Sequence, residues 1–127
     1  MASDSATYAR LRRAIETRNL AIIRSTAARL GTIGLRDALG ILLVIEAQDE
    51  ERFEPAAVRW AGRLALETPD LTLAELRGAL DSLEALPDEH AQRSLAALAD
   101  RARAARPAPG KRARPSRAEL VDAARPP

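Results

Sequence analysis

The sequence contains no cysteine, which excludes disulfides, thiolate chemistry and zinc sites built from sulfur. Aromatic residues make up only 2% of the chain, and alanine and leucine supply most of its 46% hydrophobic residues. Alanine and leucine favour helix, whereas strands prefer β-branched and aromatic residues. The composition therefore predicts an all-α fold.

Long apolar segments are also missing. No apolar run is longer than residues 41–45, which is far short of a membrane span. The first residues lack a basic region followed by an apolar core, so we predict no signal peptide and a cytoplasmic location. Leu120 and Val121 are the only large apolar residues near the basic C-terminus, so we expect no membrane binding.

Residues arranged for catalysis are scarce. The one histidine, His90, lies beside Asp88 with no nucleophile close in sequence, and is interpreted as an exposed residue at a helix start. The six glycines form no phosphate-binding loop, and no serine lies in a G-x-S-x-G turn. Glu46 and Glu50 could share a helix face and hold a hard cation, but a solvated junction is the simpler interpretation. We predict no enzyme activity, no cofactor and no metal.

Helical periodicity and capping residues divide the chain into five or six short helices. The predicted helices span about 5–17, 20–30 and 35–48, then 55–67, followed by a helix capped by Thr72 with Glu75 and a last helix capped by Asp88. Asn19 is the predicted cap of the second helix. In the fifth helix, an apolar stripe at helical spacing consists of Leu73, Leu76, Leu80 and Leu83. Residues 30–42 resemble residues 71–83 at an offset of 41, so a helical-hairpin array is an alternative to a compact bundle.

The last part of the chain differs from the body in composition. Residues 1–105 are predicted to form one helical domain, and residues 106–127 a basic tail rich in proline and arginine that is disordered. Net charge follows the same division: +5 over residues 1–36, −9 over 37–100 and +6 over 101–127. Such a basic–acidic–basic arrangement is more informative about partners than the net charge of +2.

The stretch A-A-V-R-W-A-G-R-L, residues 56–64, is the most distinctive in the sequence. Trp60 between Arg59 and Arg63 is typical of a partner-binding anchor, because tryptophan and arginine dominate interface hot spots. The alternative is a core tryptophan whose arginines pair within the fold, Arg63 with Glu67 and Arg59 with acids near residue 50. The acidic residues within positions 46–54, which we call the acidic junction, form the second candidate surface. Its predicted partner-binding residues are Glu50, Glu51 and Glu54. The sequence thus predicts a non-catalytic protein-interaction or adaptor module.

With L-R-D-A-L before it and L-T-L-A-E-L after it, this stretch resembles small all-helical proteins of unknown function from GC-rich bacteria. The resemblance covers about residues 20–100. It implies a helical fold and no activity.

Nucleic acid is the alternative partner class, because the positive tail could contact phosphates. The candidate residues are Arg101, Arg103, Arg106, Lys111, Arg112, Arg114 and Arg117. A helix-turn-helix is excluded because Asp37 and Gly40 occupy positions where its second helix needs apolar residues. No aromatic residues for stacking bases lie among the tail's cations.

Overall fold

The computed structural model describes residues 4–106, and this part of the chain contains six α-helices and no strand. The helices are α1 (Asp4–Glu16), α2 (Leu20–Ala27), α3 (Leu35–Gln48), α4 (Glu50–Glu67), α5 (Leu73–Ala85) and α6 (Glu89–Ala105). The all-α prediction is confirmed. Apart from Arg106, the predicted tail lies outside the described residues.

Local capping chemistry sets most of these helix boundaries. Asn19 accepts a hydrogen bond from the Ile22 amide and begins α2, and Asp88 accepts one from the Ala91 amide and begins α6. Thr72 and Glu75 form the predicted reciprocal capping box of α5. Each cap satisfies a backbone N–H that has no partner within its helix, so these boundaries follow from local sequence.

The turn after α1 ends the helix with an unusual residue. The Asn19 amide donates to the Ala14 carbonyl and the Arg18 amide to that of Ile15, which is the Schellman pattern. Arg18 therefore occupies the left-handed position, with φ of 55°, where glycine is the usual residue. Gln48 at the end of α3 donates to the Arg18 carbonyl and holds this turn.

The start of α4 differs from the prediction. We predicted a start at Pro55, but α4 begins at Glu50, and Pro55 lies inside the helix. A proline at this position cannot donate to the carbonyl of Glu51, so one bond of the helix is missing there. The first turn is favoured by Glu50 and Glu51, whose charges interact well with the positive end of the helix dipole.

Helices α3 to α6 form a closed bundle around one core. α3 and α5 each pack against both α4 and α6. The residues at the centre are nearly all alanine and leucine with Trp60; the largest fully buried ones include Leu64 and Leu95. α3 and α5 make no contact with each other across the part of the chain described, whereas equivalent helices of a hairpin array would be neighbours. The compact bundle is therefore the correct alternative.

Helices α1 and α2 pack against each other and against α3 around a second, smaller core. Its buried members include Leu11, Ile23 and Val44. Gly40 allows α1 to approach α3 closely, because a Cβ at that position would lie 2.9 Å from a methyl carbon of Ile15. The α1–α2 pair thus continues the bundle on one side of α3.

One predicted apolar stripe is partly wrong. Leu73, Leu76, Leu80 and Leu83 were expected to form the inner face of α5, but Leu73 is 64% and Leu80 42% exposed. Leu83 is buried as expected, but Ala79 occupies the buried position in place of Leu80, so the helix is rotated relative to the expectation. No helix within residues 4–106 is both long enough and apolar enough to cross a membrane.

Candidate protein-binding surfaces

Trp60, the centre of the predicted anchor, is part of the core. Its side chain is 2% exposed and its indole Nε1 donates to the Leu35 carbonyl at 2.9 Å. This bond satisfies the one polar atom of the indole and joins α4 to the first residue of α3. In this conformation Trp60 does not project from the surface as an anchor residue would.

A shallow apolar cleft of about 290 Å³ nevertheless lies beside Trp60, between α3 and α4. Buried Leu42 and Trp60 contribute to its lining, and Ile41 and Ile45 on α3 are half-buried. The remaining apolar lining residues are Ile33, Ala38 and Ala56. We call this surface the α3–α4 cleft.

Two arginines complete the lining of the α3–α4 cleft. Arg63 is partly buried and pairs with Glu67 on the next turn, with its Nε 2.8 Å from a carboxylate oxygen, as the sequence predicts. Arg59 is exposed and forms no ion pair with any described residue, so the predicted pairing with acids near residue 50 is absent. Arg59 is consequently the free cation at this cleft.

The acidic junction divides into paired and unpaired residues. Asp49 pairs with Arg24 of α2 at 2.5 Å and with Arg52 at 3.5 Å, so its charge is compensated within the fold. Glu50 and Glu51 are exposed at the start of α4.

Glu54 lines a second depression, between α4 and α5, which we call the α4–α5 groove. The other residues of the groove are Phe53, Ala57, Val58, Leu80, Leu83 and Glu84. Val58 is 61% exposed and Leu80 42%. Sequence analysis missed this groove because it assigned Leu80 to the same apolar stripe as Leu83.

The two predicted sets of partner-binding residues therefore lie on different sides of α4. With 3.6 residues per turn, Ala56, Arg59 and Arg63 share one side of the helix, whereas Glu54 and Val58 lie on the opposite side. Arg59, Trp60 and Arg63 line the α3–α4 cleft, and Glu54 lines the α4–α5 groove. The body carries two separate apolar depressions of opposite charge.

Arg101, a candidate for phosphate binding, is engaged inside the fold. It pairs with the carboxylate of Glu75 and with Asp70 at 3.2 Å, and donates to the Asp70 carbonyl. The hydrogen bond from Arg101, with those of Thr72, lowers the pKa of the Glu75 carboxyl from 4.5 to about 2. Arg101 thus joins α6 to the capping box of α5 and is not a free cation.

Arg103 and Arg106 are exposed near the end of α6 and make no ion pair among residues 4–106. The other proposed nucleic-acid contacts, which are Lys111, Arg112, Arg114 and Arg117, lie outside the described residues.

His90 is exposed in the first turn of α6, which agrees with its interpretation as an exposed residue at a helix start. Within residues 4–106, no three histidine or carboxylate side chains come together in an arrangement that could hold a metal ion.

Comparison with known proteins finds no matching family, no matching curated protein and no matching solved structure. The resemblance to helical proteins of GC-rich bacteria stays a prediction, as does the absence of enzyme activity.

Proposed function

We propose that the helical body is a protein-interaction module that binds an amphipathic segment of another protein in the α3–α4 cleft. The observation that supports the proposal is the apolar lining contributed by two neighbouring helices, with the unpaired Arg59 beside it. Grooves of this kind accept one face of a helix, which inserts apolar residues at positions i, i+3 or i+4, and i+7.

The charge of the cleft defines the chemistry of the partner. Arg59 forms no ion pair with a carboxylate of the described residues, whereas Arg63 pairs with Glu67. A partner carboxylate opposite Arg59 would form a charge-assisted hydrogen bond, which is stronger than a neutral one. We therefore infer an acidic amphipathic segment, in which an aspartate or glutamate flanks the apolar face.

Selection from a library of displayed random peptides tests this proposal, because it requires no assumption about the sequence of the partner. The full chain serves as bait, and the enriched sequences are read for apolar spacing and for charge. We expect apolar residues at helical spacing flanked by acids. Bound peptides should shift the backbone amide resonances of residues around Ile41, Ile45 and Arg59.

An Arg59→Glu bait supplies the matched comparison, because the substitution reverses one exposed charge and leaves the apolar lining intact. It should enrich peptides with basic flanks in place of acidic ones. Failure to enrich any sequence, or resonance shifts confined to another face of the body, would contradict the proposal.

An accessory role in nucleic-acid binding remains the alternative. Its support is that Arg103 and Arg106 are exposed and unpaired within residues 4–106, next to the basic segment. For electrostatic binding of this kind, the logarithm of the association constant falls linearly with the logarithm of the salt concentration. The slope is proportional to the number of phosphates neutralised. Affinity for a duplex oligonucleotide that shows this dependence, and is lost when Lys111, Arg112, Arg114 and Arg117 become glutamine, would favour the alternative.

A further inference from the structure

The α4–α5 groove is an unfilled apolar surface on the side of α4 away from the α3–α4 cleft. Its walls are Phe53, Ala57 and Val58 on α4, with Leu80 and Leu83 on α5. Val58 is 61% exposed and Leu80 42%, so each could bury more apolar area under an occupant.

The groove is surrounded by acidic residues that have no partner in the body. Glu54 and Glu84 line it directly. Three further exposed acids lie towards the adjoining ends of α4 and α5; they are Glu50, Glu51 and Asp81. None of these five carboxylates forms an ion pair with a residue in the range 4–106, whereas Asp37, Asp49 and Asp100 all do. The groove thus presents unpaired carboxylates next to exposed apolar side chains.

A basic segment with a small apolar group complements this surface, and the chain itself contains one. Residues 111–121 read K-R-A-R-P-S-R-A-E-L-V, with four cations, one acid and the apolar pair Leu120 and Val121. We propose that residues 111–121 occupy the α4–α5 groove of the same molecule, with Leu120 or Val121 against Val58 and Leu80. This inference is independent of the proposed function, because it concerns the opposite side of α4.

The length of the chain after α6 permits this contact. Ala105 and Arg106 lie beside Arg63 and Glu67, near the C-terminal end of α4. The groove begins about ten residues nearer the N-terminus of α4, which corresponds to about 15 Å of helix. The groove also faces the opposite side of α4 from Arg63, so the path must pass around a helix about 10–12 Å in diameter. Residues 107–119, which precede Leu120, could span roughly 43 Å when extended, and this length is enough for both parts of the path. A tethered segment also has a high effective concentration near its site.

A spin label tests the proposal in the full chain. The sequence has no cysteine, so Ser116→Cys creates a single site for a nitroxide label. In ¹⁵N-labelled protein at low salt, we expect selective loss of amide signal intensity around Phe53–Val58 and Leu80–Glu84. The loss should diminish at high salt, because salt screens the attraction between exposed charges.

Charge reversal at the edge of the groove supplies the decisive variant. Glu54→Arg with Glu84→Arg should restore the signal intensities, whereas Glu16→Arg with Glu89→Arg, at exposed positions outside the groove, should not. The spectra themselves report whether each variant remains folded.

Three results would overturn the proposal. The first is unchanged intensity at the groove, and the second is loss located at the α3–α4 cleft instead. The third is loss in a mixture in which the label and ¹⁵N are on different molecules, because the occupant would then belong to a second copy. The first and third results leave peptide binding at the α3–α4 cleft unaffected. The second would place the tail in that cleft as a competitor, and peptide selection still tests separately whether the cleft binds an acidic segment.

Discussion

Replacement of Trp60 by phenylalanine tests the core around which the α3–α4 cleft is built. The substitution keeps an aromatic ring but removes the indole N–H that donates to the Leu35 carbonyl at 2.9 Å. It also leaves a space where the larger ring system was, in a site that is 2% exposed.

The expected loss of stability has two parts. A hydrogen bond of this kind contributes about 1 kcal/mol net. Removal of a single buried methylene costs about 0.5–1.5 kcal/mol, and this substitution removes several ring atoms, so the space left behind costs at least about 1 kcal/mol. We therefore expect Trp60→Phe to lower the free energy of unfolding by about 2 kcal/mol, which corresponds to a fall in Tm of roughly 8–16 °C for a domain of this size. Trp60→Ala should cost about 3–5 kcal/mol.

Urea and thermal unfolding followed by circular dichroism measure these losses. Leu66→Ala is the matched control on the same helix, and its effect should stay within about 0.5 kcal/mol because Leu66 is 86% exposed. As Trp60 is the only tryptophan, the fluorescence of the unmodified protein reports its environment directly. A Trp60→Phe variant as stable as the parent, together with indole emission typical of full solvent exposure, would refute the assignment of Trp60 to the core.

Three further predictions concern the framework. Gly40→Ala should destabilise the protein by about 1–2 kcal/mol, because a methyl group there overlaps Ile15 and outweighs the gain in helix propensity. At Gly62 an added methyl group meets open space, so Gly62→Ala should instead raise the free energy of unfolding by up to about 1 kcal/mol. Equal changes in the free energy of unfolding of the two variants, measured in urea, would be inconsistent with close packing of α1 on α3. Thr68→Val should raise the unfolding free energy by about 1 kcal/mol, since the buried Thr68 hydroxyl has no hydrogen-bond partner among the described residues; a lower midpoint in urea would argue against this. Glu75→Gln retains a capping side chain but loses the ion pair with Arg101. Because folding lowers the pKa of Glu75 from 4.5 to about 2, the stabilisation is full above pH 4.5 and disappears as the pH falls to about 2. Unfolding midpoints of the parent and this variant should therefore converge over that interval, and a pH-independent difference would contradict the ion pair.

Features of the fold that depend on local chemistry could be predicted from the sequence. The caps at Asn19, Thr72 and Asp88 use a side chain and an amide only three residues apart, and all are confirmed. The start of α4 was wrong because proline favours the first turn of a helix, and no local signal shows that a helix can continue through Pro55.

Features that depend on the relative placement of helices could not be predicted. Apolar spacing indicated that α5 has one buried face, but only its packing against α4 and α6 places Ala79 inside and Leu80 at the surface. Arg101 pairs with Glu75, which lies 26 residues earlier in the sequence. The residues next to Arg101 in sequence therefore could not show whether its side chain forms an internal ion pair or contacts phosphate. The α3–α4 cleft likewise combines residues separated by up to 30 positions, from Ile33 to Arg63.

The most direct test of the interaction module is the affinity of one selected acidic peptide for the parent and for two charge-reversal variants. Arg59→Glu removes the free cation of the α3–α4 cleft, and Arg93→Glu changes another exposed arginine, on α6. Loss of one charge-assisted contact costs about 1.5–3 kcal/mol, so Arg59→Glu should raise Kd at least roughly tenfold. Arg93→Glu should leave Kd unchanged. Equal affinities of all three proteins would contradict the assignment of the α3–α4 cleft as the binding site.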